Sequence, residues 1–220
     1  MKKLISLFCL PLCLLFAGLA PAAGASEGKA PEALIRDVTN EVLEIVRTDP
    51  ALRSGDTRRV IELAEALVLP HFDFRRMTML AVGRDWREAT PEQQGRLIEA
   101  FRTLLVRTYA NAFTQYRDER VVFPPSRYAA TDTRVQIRTE VVRPGAQPIG
   151  IDYMLEKGEQ GWKVFDVVVA GVSLVTNYRS SFTQEIRNGG IDGLIRSLEA
   201  RNSSLADEQG LGSTGGARAS

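Results

Sequence analysis

Apolar residues in this chain recur first at helical spacing, then in strict alternation, then at helical spacing again. From Pro31 onward, Leu34, Ile35, Val38, Val42, Ile45 and Val46 fall on one side of a helix that Asp49-Pro50 interrupts. Thr57 to Leu69 repeats the pattern with Val60, Ile61, Ala64, Leu67 and Val68, and Pro70 closes it. A short helix, Phe74 to Val82, ends at Gly83. The strongest start signal is Thr90-Pro91-Glu92-Gln93, which offers a hydroxyl N-cap, a proline at the first helical position and a glutamine that completes a capping box. The helix it opens runs to about Arg117 and spans about 40 Å. Its apolar stripe is Leu97, Ile98, Phe101, Leu104, Leu105, Tyr109, Ala112, Phe113 and Tyr116.

After Asp118 the period changes to two. Val135, Ile137, Thr139 and Val141 alternate with Arg134, Gln136, Arg138 and Glu140. Pro144-Gly145 turns the chain, and Ile149, Ile151, Tyr153 and Leu155 continue the alternation. A second turn, Gly158 to Gly161, leads into a strand from Trp162 that is apolar on both faces. On a period of two, Val164, Asp166 and Val168 share one of those faces. At Ala170-Gly171-Val172 the strand passes almost directly into a helix carrying Leu174, Val175, Tyr178 and Phe182. These segments predict an antiparallel meander, with Arg120–Phe123 or Ser126–Ala130 as a fourth strand. Two helices follow, Ser173–Arg187 and Ile191–Arg201, separated by Asn188-Gly189-Gly190. Helices, then a sheet, then helices predict an α+β fold with helices packed on one concave face. There is no internal repeat.

The flanks set the compartment. Lys2 and Lys3, an apolar run from Leu4 to about Ala20, and Ala23-Gly24-Ala25 read as a signal peptide cleaved near residue 25. Pro11 and the helix-breaking cluster Pro21 to Gly24 favour removal over a retained anchor. Cys9 and Cys13 lie inside the apolar run, and neither follows the small residue a lipidation site requires, so the exported chain has no cysteine and depends on its core. Residues 203–220 are small, polar and glycine-rich, and are expected to be a disordered tail. Residues 26–202 suffice for one compact domain. Loss of Lys2 and Lys3 turns a net charge of +1 into −1, which gives no support to nucleic-acid binding.

Candidate chemistry is sparse. His71 is the only histidine, and no metal-ligand spacing exists, so no metal site is expected. Its setting between two helices suits a structural role, with Asp73 beside it as a cap. Ser173 superficially matches a nucleophile elbow, but the second glycine is missing and no histidine follows, so it reads as a helix N-cap. Asp152 and Asp166 stand on strands and are the two carboxylates a small pocket enzyme could use as a base. Against that stands a solvated or arginine-paired role for each. No catalytic residue and no cofactor is assigned. What remains is apolar surface on the long helix and the meander, consistent with a filled core or with a cavity for an apolar ligand.

The segment GWKVFDVVVAGVSLVTNYRSSFTQEIRNGGIDGLIRSLEARN, Gly161 to Asn202, closely resembles the MlaC, or toluene-tolerance, family of periplasmic phospholipid-binding proteins. The meander, the segment PHFDFRRMTMLAVGRDWREATPEQ and the long helix resemble it too. The resemblance implies a twisted antiparallel sheet of about four strands with surrounding helices, similar to nuclear-transport-factor-2-like folds and enclosing an apolar cavity. It implies a periplasmic carrier moving phospholipids between outer and inner membranes to maintain outer-membrane asymmetry. The implied partners are an outer-membrane lipoprotein–porin complex and an inner-membrane complex of an MCE-domain protein with an ABC transporter. A hopanoid-associated or other lipid-associated paralogue is the alternative within the family.

Residues chosen by pattern to line the lipid cavity are Met77, Leu80, Phe101, Leu104, Leu105 and Tyr109 from the helices. From the sheet and its exit they are Val135, Ile137, Ile151, Tyr153, Val164, Val168, Val172 and Val175. The expected place of the cavity is between the long helix and the meander, with Arg138 or Arg179 as the candidates for head-group contact.

Overall fold

The computed structural model describes residues 29–114 and 119–211, apart from the side chains of residues 111–114. The leader with Cys9 and Cys13, the side chains of Ala112 and Phe113, Tyr116 and Arg117, and the tail from Gly212 lie outside the described residues.

Helix α1 (Pro31–Thr48) opens on proline, whose missing N–H would have no helical partner anyway. It stops at Asp49, where the backbone becomes extended, and the Asp49 carboxylate accepts the Ala51 and Leu52 amides to start α2 (Pro50–Arg53). Asp56 repeats the device for α3 (Thr57–Leu63). The regular helix then ends earlier than the apolar spacing predicts. The Leu69 N–H reaches back five residues to the Ala64 carbonyl, widening the chain into a π turn over Ala64–Val68, and a 3₁₀ turn covers Leu69–His71. Pro70 is the physical reason, because it brings no N–H and crowds the preceding turn. Helix α4 (Phe74–Val82) is capped by Asp73 and ends at Gly83, whose φ of 75° suits glycine. In α5 (Pro91–Thr114) the capping box forms in both directions: the Thr90 N–H donates to Gln93 Oε1 at 3.0 Å, and the Gln93 N–H to Thr90 Oγ1 at 3.2 Å.

The sheet is an open antiparallel meander of β1 (Arg120–Val122), β2 (Arg134–Val142), β3 (Ile149–Gly158), β4 (Gly161–Val169) and β5 (Val172–Ser173), in that spatial order. Ser126–Ala130 stays outside it. Leu155 pairs with Val164 but Met154 pairs with Asp166, so Phe165 is an extra residue and β4 changes phase there. Val164, Val167 and Val169 therefore share the concave face with Leu155, Tyr153 and Ile151. Asp166 and Val168 face the other way, which corrects the period-two expectation that grouped them with Val164. The β4–β5 hairpin turns on Ala170 (φ 49°) and Gly171 (φ 83°), the pair of positive φ values a type I′ turn requires.

Helix α6 (Leu174–Glu208) is broken at Gly190, with φ 66°. Arg201 and Glu185, sixteen residues apart, meet at 2.7 Å, whereas a straight helix would separate them by about 24 Å. The break folds both halves onto one core, as the Asn188-Gly189-Gly190 signal predicts. The second half runs on to Glu208 with Ala206 buried, so Ser203–Glu208 belong to the fold and not to the tail.

Three apolar clusters result. Helices α4, α5 and α6 pack on each other through Met77, Leu97, Phe101, Phe182, Leu194 and Leu198, with the Phe101 and Phe182 rings edge to face at 5.1 Å. The concave sheet face meets the start of α1 through Leu34, Ile35, Val135, Ile137, Leu155 and Val164. The end of α1 meets α2 and α3 through Val42, Val46, Leu52, Val60 and Leu63. Among the described residues no helix is long and apolar enough to cross a membrane.

Candidate functional site

The site is the space between α1 and the concave sheet face. Its volume is about 490 Å³, inside the range of about 300–1,000 Å³ typical of small-molecule pockets. Helix α1 supplies Val38, Thr39, Val42 and Leu43, which recur along one face by helical periodicity. The strands supply Val121 from β1, Thr139 and Val141 from β2, Ile149, Ile151 and Tyr153 from β3, and Val164 and Val169 from β4. Val68, His71 and Phe72, from the widened end of α3 and the turn after it, close one end. Phe72 is fixed there because it bridges to Val164, while the Asp73 N–H donates to the Val164 carbonyl at 2.8 Å.

The few polar groups of the wall are quiet. Thr139, 2% exposed, donates its hydroxyl to the Ile151 carbonyl at 2.7 Å, so its polarity is spent inside the sheet. Burial pushes the Tyr153 hydroxyl up to about 12, with the Thr139 hydroxyl opposing, and it stays uncharged. Burial also holds the His71 imidazole below its ordinary value, with Lys163 and Lys29 pushing the same way and Glu41 opposing. Full charge enters the wall at one place. Glu119 and Arg143 line the end near the β2–β3 turn, where Ala146, Gln147 and Ile149 are exposed and the cavity opens.

Of the residues chosen from the sequence, Ile151, Tyr153 and Val164 lie on this wall. Val135 and Ile137 share the concave face but are sealed where Leu34 and Ile35 close onto the sheet. Met77, Phe101, Leu104, Leu105 and Val175 are buried in the helical cluster, and Leu80 and Tyr109 pack against it. Val168 is on the opposite sheet face, and Val172 is 56% exposed in β5. The expected cavity between the long helix and the meander is not where the space is, because the stripe of α5 is used up against α4 and α6. Leu104 also borders a wide groove of about 520 Å³ between α5 and α6, but that groove is open to solvent and mixes Arg201, Glu208 and Ser204 with its apolar residues. Sequence reasoning missed the face of α1, whose Val38, Thr39, Val42 and Leu43 make a stripe wider than packing on one neighbour needs.

The other candidates also find their places. Arg138 is exposed on the convex face of β2, and Arg179 donates to the Leu80 carbonyl at 3.1 Å on the helical side, so neither reaches the cavity. Asp152 accepts from Gln136 Nε2 at 2.7 Å on the convex face, and Asp166 is engaged by the start of α6. Among the described residues no group of three or more His, Cys, Asp or Glu is placed to hold a metal ion.

Residues 36–200 match the family model described as MlaC protein. The chain belongs to the MlaC family. A solved structure of a phospholipid-binding protein from Ralstonia solanacearum, in complex with a phospholipid, shares the fold with a TM-score of 0.76 and 38% identity. The match covers 81% of this chain and 99% of that one. Two further relatives are similar in sequence. The intermembrane phospholipid transport system binding protein MlaC of Haemophilus influenzae is 21% identical over 173 residues, covering 77% of this chain and 81% of that protein. Toluene tolerance protein ttg2D of Pseudomonas putida is 29% identical over 106 residues, 48% of this chain and 49% of that protein. Among the described residues of this chain, the apolar cavity described above lies under α1.

Proposed function

We propose that this chain is a periplasmic phospholipid carrier, exported by residues 1–25, that holds acyl chain in the cavity under α1. The observation that carries the reading is the largely apolar wall of valine, isoleucine, leucine and aromatic side chains between α1 and the sheet, with Glu119 and Arg143 as its charged residues. The phospholipid in the Ralstonia relative and the names of the two sequence relatives support the ligand class. Family membership also supports binding and transport over catalysis, in keeping with two strand carboxylates that are tied up away from the cavity.

Energetics favour shuttling. Each buried methylene is worth about 0.8 kcal/mol, and a bilayer offers the same, so a wall as apolar as the membrane lets lipid move in or out near balance. At about 490 Å³ the cavity has the scale of a lipid-binding pocket and offers room for hydrocarbon. The partners that suit such a carrier are an outer-membrane lipoprotein–porin complex and an inner-membrane MCE-protein/ABC-transporter complex. Exchange with both would serve the lipid asymmetry of the outer membrane.

The test is direct. Full chain purified from a bacterial host, opened in native mass spectrometry, should release phospholipid in a fixed ratio to protein. Repeated recovery of folded, lipid-free chain overturns the reading.

A further inference from the structure

His71, the one histidine in the sequence, stands in the wall of the largely apolar cavity beside Val68 and Phe72. The bridge from Phe72 to Val164 sets this corner against the early part of β4, away from the β2–β3 turn. The imidazole is half-buried and makes no hydrogen bond among the described residues. Its charged surroundings are cationic on balance. Lys163 of β4 donates its ammonium to the Pro70 carbonyl at 2.5 Å, one residue away along the chain. Lys29, ahead of α1, also repels a charged ring and is itself paired with Asp37 at 2.6 Å. Glu41, exposed on α1, attracts a charged ring without a hydrogen bond to it. Asp73 is occupied in capping α4, and Tyr153, across the cavity on β3, stays uncharged. An imidazolium formed here is therefore solvated chiefly by water, and that water must stand where hydrocarbon would lie.

On the reading of the chain as a phospholipid carrier, we propose that His71 is a proton-operated release switch for the acyl chain. The neutral ring tolerates hydrocarbon beside it. The protonated ring draws water into its corner of the cavity, and the hold on hydrocarbon weakens. The coupling is reciprocal: by excluding water, bound acyl chain disfavours protonation by the same factor by which protonation disfavours binding. The sign follows from the wall. Burial and the two lysines already keep the ring neutral below its ordinary 6.5, and bound hydrocarbon extends that range downward. Affinity is therefore full above pH 6.5 and declines as pH falls through the folded-state value. A difference of about one pH unit between empty and filled chain corresponds to about a tenfold change in affinity.

The experiment equilibrates full chain with phosphatidylcholine vesicles at about pH 7.5 and about pH 5.5, re-isolates the chain and counts phospholipid per chain by native mass spectrometry. Neither the phosphodiester nor the quaternary ammonium of this lipid titrates over that interval, so a change in load reports the protein. Circular dichroism at each pH confirms that the chain counted is folded. Wild type should carry several-fold less lipid at the lower pH and regain it on return to the higher. His71→Gln, uncharged throughout, should carry the same load at both. The single histidine ring, followed by NMR, should titrate at lower pH in loaded than in empty chain. A wild-type load that holds or rises on acidification, a parallel fall in His71→Gln, or coincident ring titrations overturns the switch while the carrier reading stands. No phospholipid on wild type at either pH removes the carrier reading itself.

Discussion

Ser173 Oγ donates to Asp166 Oδ2 at 2.5 Å while accepting the Thr176 N–H at 3.0 Å, so one hydroxyl joins β4 to the first turn of α6. The second carboxylate oxygen, Oδ1, accepts the Val175 N–H at 3.1 Å and the Val167 N–H at 2.8 Å. Asp166 can do this because the bulge at Phe165 turns it away from the concave face. Replacement by alanine strands a part-buried hydroxyl and two amides. Asp166→Ala should therefore lower unfolding free energy by about 2–3 kcal/mol, read as a fall in the urea midpoint. An unchanged midpoint would show that water replaces the carboxylate without loss.

Cavity and core respond in opposite ways to changes in bulk. Ile151→Trp pushes an indole into open space, so lipid recovered per chain should fall several-fold while the urea midpoint holds or rises. Phe101, fully buried among helices, is the contrast. Phe101→Ala should cost about 3–5 kcal/mol, yet the chain that remains folded should keep its lipid ratio. Equal lipid loss in both variants would contradict the placement of the cavity under α1.

The hairpin between β4 and β5 carries avoidable strain. Ala170 adopts φ 49°, a left-handed conformation that costs a residue with a Cβ about 1–2 kcal/mol. Asparagine tolerates that region and, followed by glycine, is the favoured type I′ pair. Ala170→Asn should raise stability by about 0.5–1 kcal/mol, visible as a higher thermal midpoint.

His71 gives the chain a pH dependence of known sign. Burial, with Lys163 and Lys29, holds its folded-state pKa below the ordinary 6.5. In that window the unfolded chain binds the proton first, so the contribution of His71 to stability is full above pH 6.5 and declines as pH falls through it. His71→Gln should remove that component. The urea midpoint of wild type should fall relative to that of the variant as pH drops from about 7.5 to 5.5, and parallel midpoints would refute it.

Much of this architecture is legible in local pattern. The capping box at Thr90 and Gln93, the alternation in β2 and β3 and the break at Gly190 are signals read within a few residues, and each forms as spaced. Two things were not local. The phase of β4 hangs on one extra residue, Phe165, and a strand apolar on both faces carries no mark of where a bulge falls. The cavity hangs on which helix faces the sheet, and α1 and α5 present similar stripes. Long-range pairing decides between them: α5 is claimed by Phe182 and Leu194, far along the chain, leaving α1 to cover the concave face. Glu119 and Arg143 escape notice for the same reason, since only the β1–β2 pairing brings them together.

Helix α1 is anchored to different bodies at its two ends, to the sheet through Leu34 and Ile35 and to α2 and α3 through Val42 and Val46. It is in effect a beam resting on two piers, with the cavity as the clearance beneath its span. That clearance is fixed by the spacing of the piers more than by any residue that lines the void. A substitution deep in either pier, with no access to ligand, will therefore alter how much hydrocarbon the protein can hold.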